Sequence, residues 1–139
     1  MQSFNLIISL HEHGKLDSYY NEELSCLEHF KLKEFFLRRT KNVYISFVSK
    51  RLVQEMASSE PVTYVAIIKR LKRKGLGTRF NELRDYYATF MVRHGLIREV
   101  DLLQGLIPPN IFIGHYWSPS FTEPRDRIMK SISLLEQSL

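Results

Sequence analysis

The stretch Asn81-Glu82-Leu83-Arg84-Asp85-Tyr86-Tyr87-Ala88-Thr89-Phe90-Met91-Val92-Arg93-His94-Gly95 decides how this chain is read. Its apolar residues Leu83, Tyr86, Tyr87, Phe90 and Met91 recur at three- and four-residue intervals. That spacing places side chains on one face of an α-helix. Gly95 supplies the stop. The pattern predicts a helix over 81–94 with those five residues on its inner face.

Working outward toward the N-terminus, Pro61–Lys74 is a second amphipathic stretch, opened by Ser58, Ser59 and Pro61 and closed by Gly75. Its polar face carries Lys69, Arg70, Lys72, Arg73 and Lys74. Five like charges in six residues form either a solvated face or a phosphate-positioning surface. Helical spacing also holds over Lys50–Ala57, over Ser3–His13 with Gly14 as stop, and from an Asp17 cap toward Phe30 through Leu24 and Leu27. Between Leu32 and Val48 the pattern changes. Val43, Tyr44, Ile45, Phe47 and Val48 suit a strand, so the region reads as a β-hairpin turning near Arg39–Asn42. Its tip is basic, with Arg38, Arg39 and Lys41. Toward the C-terminus, Arg98–Gln104 reads as a short helix, and Pro108-Pro109 opens a turn or helix through Phe112 to Tyr116. A last helix from Thr122 to Leu139 carries an apolar stripe of Ile128, Ile132, Leu134, Leu135 and Leu139. The expected fold class is α+β: mainly α with one small antiparallel β-hairpin or sheet, in a single domain over residues 1–139.

Composition bounds the function. A chain of 139 residues with 44% apolar and 12% aromatic residues is long and apolar enough to bury one core. Twenty Lys and Arg against 15 Asp and Glu give a net charge of +5, which fits a polyanionic partner such as nucleic acid or an anionic membrane surface. The single cysteine, Cys26, excludes an intrachain disulfide, and a reducing compartment is the default. No apolar run approaches the roughly 20 residues of a membrane span. The N-terminus lacks the basic region of a signal peptide. A cytoplasmic protein without membrane contact is expected. Neither zinc-ligand spacing nor a P-loop nor a dinucleotide fingerprint occurs, so no metal or cofactor is expected.

The central helix carries more than periodicity. Asn81-Glu82-Leu83-Arg84-Asp85-Tyr86-Tyr87-Ala88-Thr89 resembles the tyrosine recombinase motif His-x-Leu-Arg-(His/Asp)-x-x-Ala-Thr. Leu102-Leu103-Gln104-Gly105 is similar to that family's Leu-Leu-Gly-His segment, and His115-Tyr116-Trp117 stands where its nucleophile segment belongs. Tyr116 follows Arg84 by 32 residues, the family's own spacing. The form of these segments is similar to integrases of archaeal viruses and plasmids. The likeness covers most of the chain, best from about Leu32 onward. An N-terminal DNA-clamping part is not found, so the chain is expected to correspond to a C-terminal catalytic domain with the tyrosine recombinase catalytic-domain fold.

The resemblance implies a chemistry: a tyrosine oxygen attacks a DNA phosphodiester, leaves a 3′-phosphotyrosine link, and a DNA hydroxyl later attacks that link. Such a reaction needs a nucleophile, rigid cationic donors for the charge on phosphorus, and an acid for the departing 5′-oxygen. The resemblance assigns these to Tyr116, to Arg84, whose planar fork suits phosphate, and to Lys41 on the hairpin. The competing readings are a packed aromatic, a helix-surface arginine paired with Asp85 or Glu82, and a solvated turn lysine. Arg38, Arg39 and the basic residues Lys69, Arg70, Lys72, Arg73 and Lys74 are candidate DNA contacts. Double-stranded DNA is the implied partner, with self-association or pairing with an intact integrase on it. The last helix either packs on its own core or, as often in the family, docks on a neighbouring protomer.

The sequence also departs from the family. Lys15 stands at the position of the first arginine and loses its bidentate fork. Asn81 stands at the motif histidine, and Leu106 stands where archaeal relatives carry an arginine. His115 is a weak candidate to compensate. Removal of one pre-arranged donor typically costs ~10²-fold in rate. Three expectations follow: an integrase domain with an impaired site, a degenerate remnant that binds DNA or an intact integrase without cleaving, or an unrelated helical scaffold.

Overall fold

A three-stranded antiparallel sheet divides the molecule into two helical layers. The computed structural model describes residues 2–36, 42–75, 77, 80–106, 112 and 122–138. The strands are β1 (Tyr20–Asn21), β2 (Cys26–Leu27) and β3 (Ser46–Phe47), in the order β1-β2-β3. The helices are α1 (Gln2–Glu12), α2 (Lys33–Phe36), α3 (Lys50–Ala57), α4 (Tyr64–Arg73), α5 (Phe80–Arg93), α6 (Val100–Leu103) and α7 (Thr122–Ser138). The described chain is thus mainly helical with one small antiparallel sheet, as the composition of elements predicted.

The register explains the two layers. Tyr20 pairs with Leu27 and Leu27 with Ser46, while Asn21 pairs with Cys26 and Cys26 with Phe47. Successive strand residues face opposite sides of a sheet. One face therefore joins Tyr20, Leu27 and Val48 to Ile7 of α1 and to Val53 and Ala57 of α3. The other joins Cys26, Ile45 and Phe47 to Met91 of α5, Leu102 of α6, and Ile128 and Ile132 of α7. Irregular bonds lengthen the short ladder. The Phe30 amide donates to the Tyr44 carbonyl (3.0 Å) and the Val48 amide to the Ser25 carbonyl (3.0 Å).

The sheet corrects two expectations. Asp17 does not cap a helix toward Phe30; it lies in a 3₁₀ turn, Leu16–Ser18, followed by the β1–β2 hairpin. Turn chemistry outweighs the Leu24, Leu27, Phe30 spacing there. The Asn21 side chain accepts from the Leu24 amide at 3.0 Å and donates to buried Glu28 at 3.0 Å, and Ser25 adopts φ +51. Asn favours such local bonding over helix. The expected 32–48 hairpin is also altered. Its first arm is helical, a 3₁₀ turn at His29–Leu32 running into α2, and its second arm pairs with β2 instead. His29, Leu32 and Phe36 recur at helical spacing and pack on the first layer, with the Phe36 ring 4.1 Å from His29 and 6.1 Å from Tyr19. The expected turn at 39–41 lies outside the described residues.

The remaining helices follow their capping chemistry. Ser49 caps α3 by accepting from the Leu52 amide. Thr63 caps α4 by accepting from the Ala66 amide. Helix α4 thus starts later than the Pro61 signal, because Asn5 holds the Val62 backbone through both its amide groups, at 2.9 and 3.0 Å. Helix α7 lies on its own core. Ile128 and Ile132 are buried, Arg127 pairs with buried Glu99, Arg125 donates to Ser25 (3.1 Å), and Glu136 accepts from Ser49 (3.1 Å). Its Leu134, expected on the apolar stripe, is largely exposed. No helix among the described residues is long and apolar enough to cross a membrane.

Candidate nucleic-acid interface

Helix α5 buries part of the predicted face: Tyr87, Phe90 and Met91 pack in the second layer as expected. Leu83 and Tyr86 are exposed, at 47% and 56%. The covered stripe runs through Arg84, Tyr87, Ala88 and Met91, at i, i+3, i+4 and i+7, with Phe90 beside it. Arg84 therefore continues the core stripe at the helix's N-terminal end rather than standing on the solvent side. Asn81 precedes it by three residues, on the same face, and is exposed.

The half-buried Arg84 guanidinium donates from Nη2 to Gln104 Oε1 at 3.1 Å. The acceptor is a neutral amide, which orients the guanidinium without neutralising it. Gln104 and Gly105 form the turn that closes α6. The Gln104 amide donates to the Val100 carbonyl, and the Gly105 amide to that of Leu102. The same turn holds a third segment, since the Gly105 carbonyl accepts from the Asn42 amide at 3.2 Å. Gly105 is irreplaceable on two counts. Its φ is +70, and a Cβ there would lie 2.9 Å from Val43 Cγ2 and 3.1 Å from the Asn42 carbonyl oxygen.

Asn42 directly follows Lys41, and Phe112 stands four residues before Tyr116. Phe112 is buried in the second layer, its ring stacked on Tyr44 at 4.4 Å. The α6 turn thus joins Arg84 to the segment that follows Lys41, while Phe112 packs on Tyr44 in the second core. Lys41, Arg38, Arg39, His115 and Tyr116 themselves lie outside the described residues. Lys15 is exposed after α1, where its carbonyl accepts from the Ser18 hydroxyl. Its described neighbours belong to the first layer, whereas Arg84 belongs to the second. Leu106, at the expected arginine position, is 51% exposed.

Helix α4 presents Lys69, Arg70, Lys72, Arg73 and Lys74 to solvent, and none of them forms an ion pair among the described residues. Its opposite side, Ile67, Ile68 and Leu71, is only half covered. Basic residues in the last turn also favour the helix by opposing its dipole. That local effect does not require five of them.

Gln104 and the Asn42 backbone were not singled out from sequence. A glutamine before a helix-closing glycine carries no local signal that its amide will meet an arginine 20 residues earlier. Another constellation also emerges. In the first layer, Tyr19 Oη lies 2.6 Å from His29 Nδ1, and Ser46 Oγ lies 2.7 Å from His29 Nε2. Burial pushes the His29 pKa down to about 4. The ring is neutral, packed between aromatics, and acts as a bolt between hairpin and turn. Cys26 is buried, and burial raises its thiol to about 12, so it is not a reactive thiolate. Among the described residues, no group of three His, Cys, Asp or Glu side chains is placed to hold a metal ion. Compared with known proteins, the chain matches no protein-family model, no curated protein and no solved structure.

Proposed function

We propose that this chain is a site-specific DNA recombination domain of the tyrosine recombinase type, similar to archaeal virus and plasmid integrases. In this reading it cuts and rejoins double-stranded DNA through a 3′-phosphotyrosine link on Tyr116, at a reduced rate. The observation that carries the reading is the α6 turn. One two-residue element, Gln104-Gly105, binds the Arg84 guanidinium with its side chain and the backbone beside Lys41 with its carbonyl. Those are the residues that the recombinase reading assigns to the phosphate and to the leaving oxygen. An arginine oriented by a neutral partner keeps its charge for a phosphate, and pre-arranged donors of this kind supply most of the stabilisation in such reactions.

In this mechanism Arg84 holds a non-bridging oxygen, Asn81 offers a hydrogen bond on the same helix face, and Lys41 protonates the departing 5′-oxygen as the Tyr116 oxygen, its proton released to water, bonds to phosphorus. The basic side of α4, with Arg38 and Arg39, contacts the DNA backbone. One observation favours the second reading, a remnant that binds DNA without cutting it. Leu106 is half exposed where an arginine is expected, so it neither donates to phosphate nor serves the core.

Covalent trapping separates the two. The protein is incubated with nicked duplex DNA, denatured, and examined for a slowed band, with Tyr116→Phe as the control. The proposal expects a weak band that the control lacks. DNA binding without any band would leave the binding remnant. Neither binding nor a band would remove both.

A further inference from the structure

We propose that the cleft between the end of α5 and helix α7 is a binding site for a phosphate group. It holds about 350 Å³ and lies between the His94–Leu96 turn and one stripe of α7, Arg127, Lys130, Ser131 and Leu134. The stripe has the i, i+3, i+4, i+7 spacing of a single helix face. The site is independent of the recombinase reading, because none of its residues belongs to that constellation.

The lining decides the ligand class. Every charged or ionisable side chain in it is a potential cation, and no carboxylate lines it. This holds in a chain with 15 acidic residues. The nearest acid engaged there, Glu99, is buried and bound to Arg127 Nη2. That bond anchors the guanidinium, itself one of the cleft's lining groups. Lys130 has no ion pair among the described residues, and Asp126, one turn earlier, is taken by Arg125 at 2.5 Å. His94 donates from Nδ1 to the Phe90 carbonyl at 2.8 Å and stacks on the Phe90 ring at 4.0 Å. That contact leaves Nε2 as the ring nitrogen that can face the cleft. Ser131 adds a hydroxyl from a position only 5% exposed.

The end of a helix ordinarily repels anions through its free carbonyls. Here the turn satisfies them. Gly95 takes φ +84, its amide donates to Val92, and the Leu96 amide donates to Met91. Leu96 and Leu134 provide apolar walls that limit competing water. A tetrahedral anion with several acceptor oxygens fits a lining of guanidinium fork, ammonium, imidazole and hydroxyl with no carboxylate. The phosphate comes either from a nucleic-acid backbone or from a free phosphate compound.

The test is a titration with inorganic phosphate at constant ionic strength, following the His94 ring and the Lys130 and Ser131 amides by nuclear magnetic resonance. Sodium chloride is the reference salt. Saturable shifts confined to these residues are expected. Lys130→Ala should weaken binding about tenfold, the loss of one charge-assisted contact. Lys33→Ala, on an exposed position of α2, should leave it unchanged. Lys130→Gln keeps the stem and should weaken it comparably, which excludes lost packing. A second arm adds a short DNA duplex. Displacement of phosphate by the duplex identifies backbone phosphate as the source, and undisturbed phosphate binding identifies a free compound. No local shift at tens of millimolar phosphate, the same shift with chloride, or unchanged affinity in both Lys130 variants would overturn the proposal.

Discussion

The two layers flanking the sheet treat polar side chains in opposite ways. In the first, His29 is almost wholly buried and both its nitrogens are consumed by hydroxyls of the same layer. In the second, Arg84 sits at the end of a core stripe, half covered, held by a neutral amide that leaves its charge unspent. A buried neutral polar group with all its partners stabilises one arrangement. A charge oriented but not neutralised is ready for a ligand. The contrast places stability in the α1–sheet–α3 layer and, in the proposed function, contact with an anion in the α5–α6–α7 layer.

Breaking the contact layer at its turn should have the largest effect. Gly105→Ala forces a Cβ against Val43 and Asn42 in a left-handed backbone, and should cost roughly 3–5 kcal/mol from overpacking and strain together. Chemical denaturation measures it, and a loss under about 1 kcal/mol would mean that the turn is not the clasp described here.

The stability layer should answer to pH. The pKa of His29 is lowered to about 4 from an ordinary 6.5, so the unfolded chain binds the proton more readily than the folded one. Stability is then complete above about pH 6.5 and falls as pH drops toward 4, by about 3 kcal/mol in total from this residue. Urea unfolding at pH 7 and pH 4.5 reads the slope, and His29→Phe should flatten it. A smaller effect sharpens the same side: Ser49→Ala removes the α3 cap and a contact to Glu136, and should lower stability by roughly 1 kcal/mol. On the contact side the smallest effect is Lys72→Ala, expected to leave stability unchanged and to reduce the salt dependence of DNA binding by about one charge.

The residues that made parts of this fold legible differ physically from those that hid the rest. Helices α1, α3, α5 and α7 span two turns or more and carry an apolar stripe or a clear stop, so periodicity finds them. The strands have two residues each, too few for alternation, and the sheet is set by the Asn21 turn and by pairing between segments about twenty residues apart. Within α5, Leu83 and Tyr86 looked like core and are exposed, because Arg84, a polar residue, occupies the inner stripe. Motif spacing singled out Arg84 itself. The Gln104 amide that orients it and the Gly105 carbonyl that holds Asn42 are tertiary contacts with no local signature.

In the proposed recombinase site, Arg84 and the α6 turn lack one expected donor, at position 106. The most direct measurement is adduct yield on nicked duplex DNA for Leu106→Arg beside the parent chain, each with and without Tyr116→Phe. Leu106 is half exposed, so the longer side chain needs no core rearrangement. Leu106→Arg is expected to raise the Tyr116-dependent adduct by ~10²-fold. A folded, DNA-binding Leu106→Arg protein that forms no adduct would contradict it.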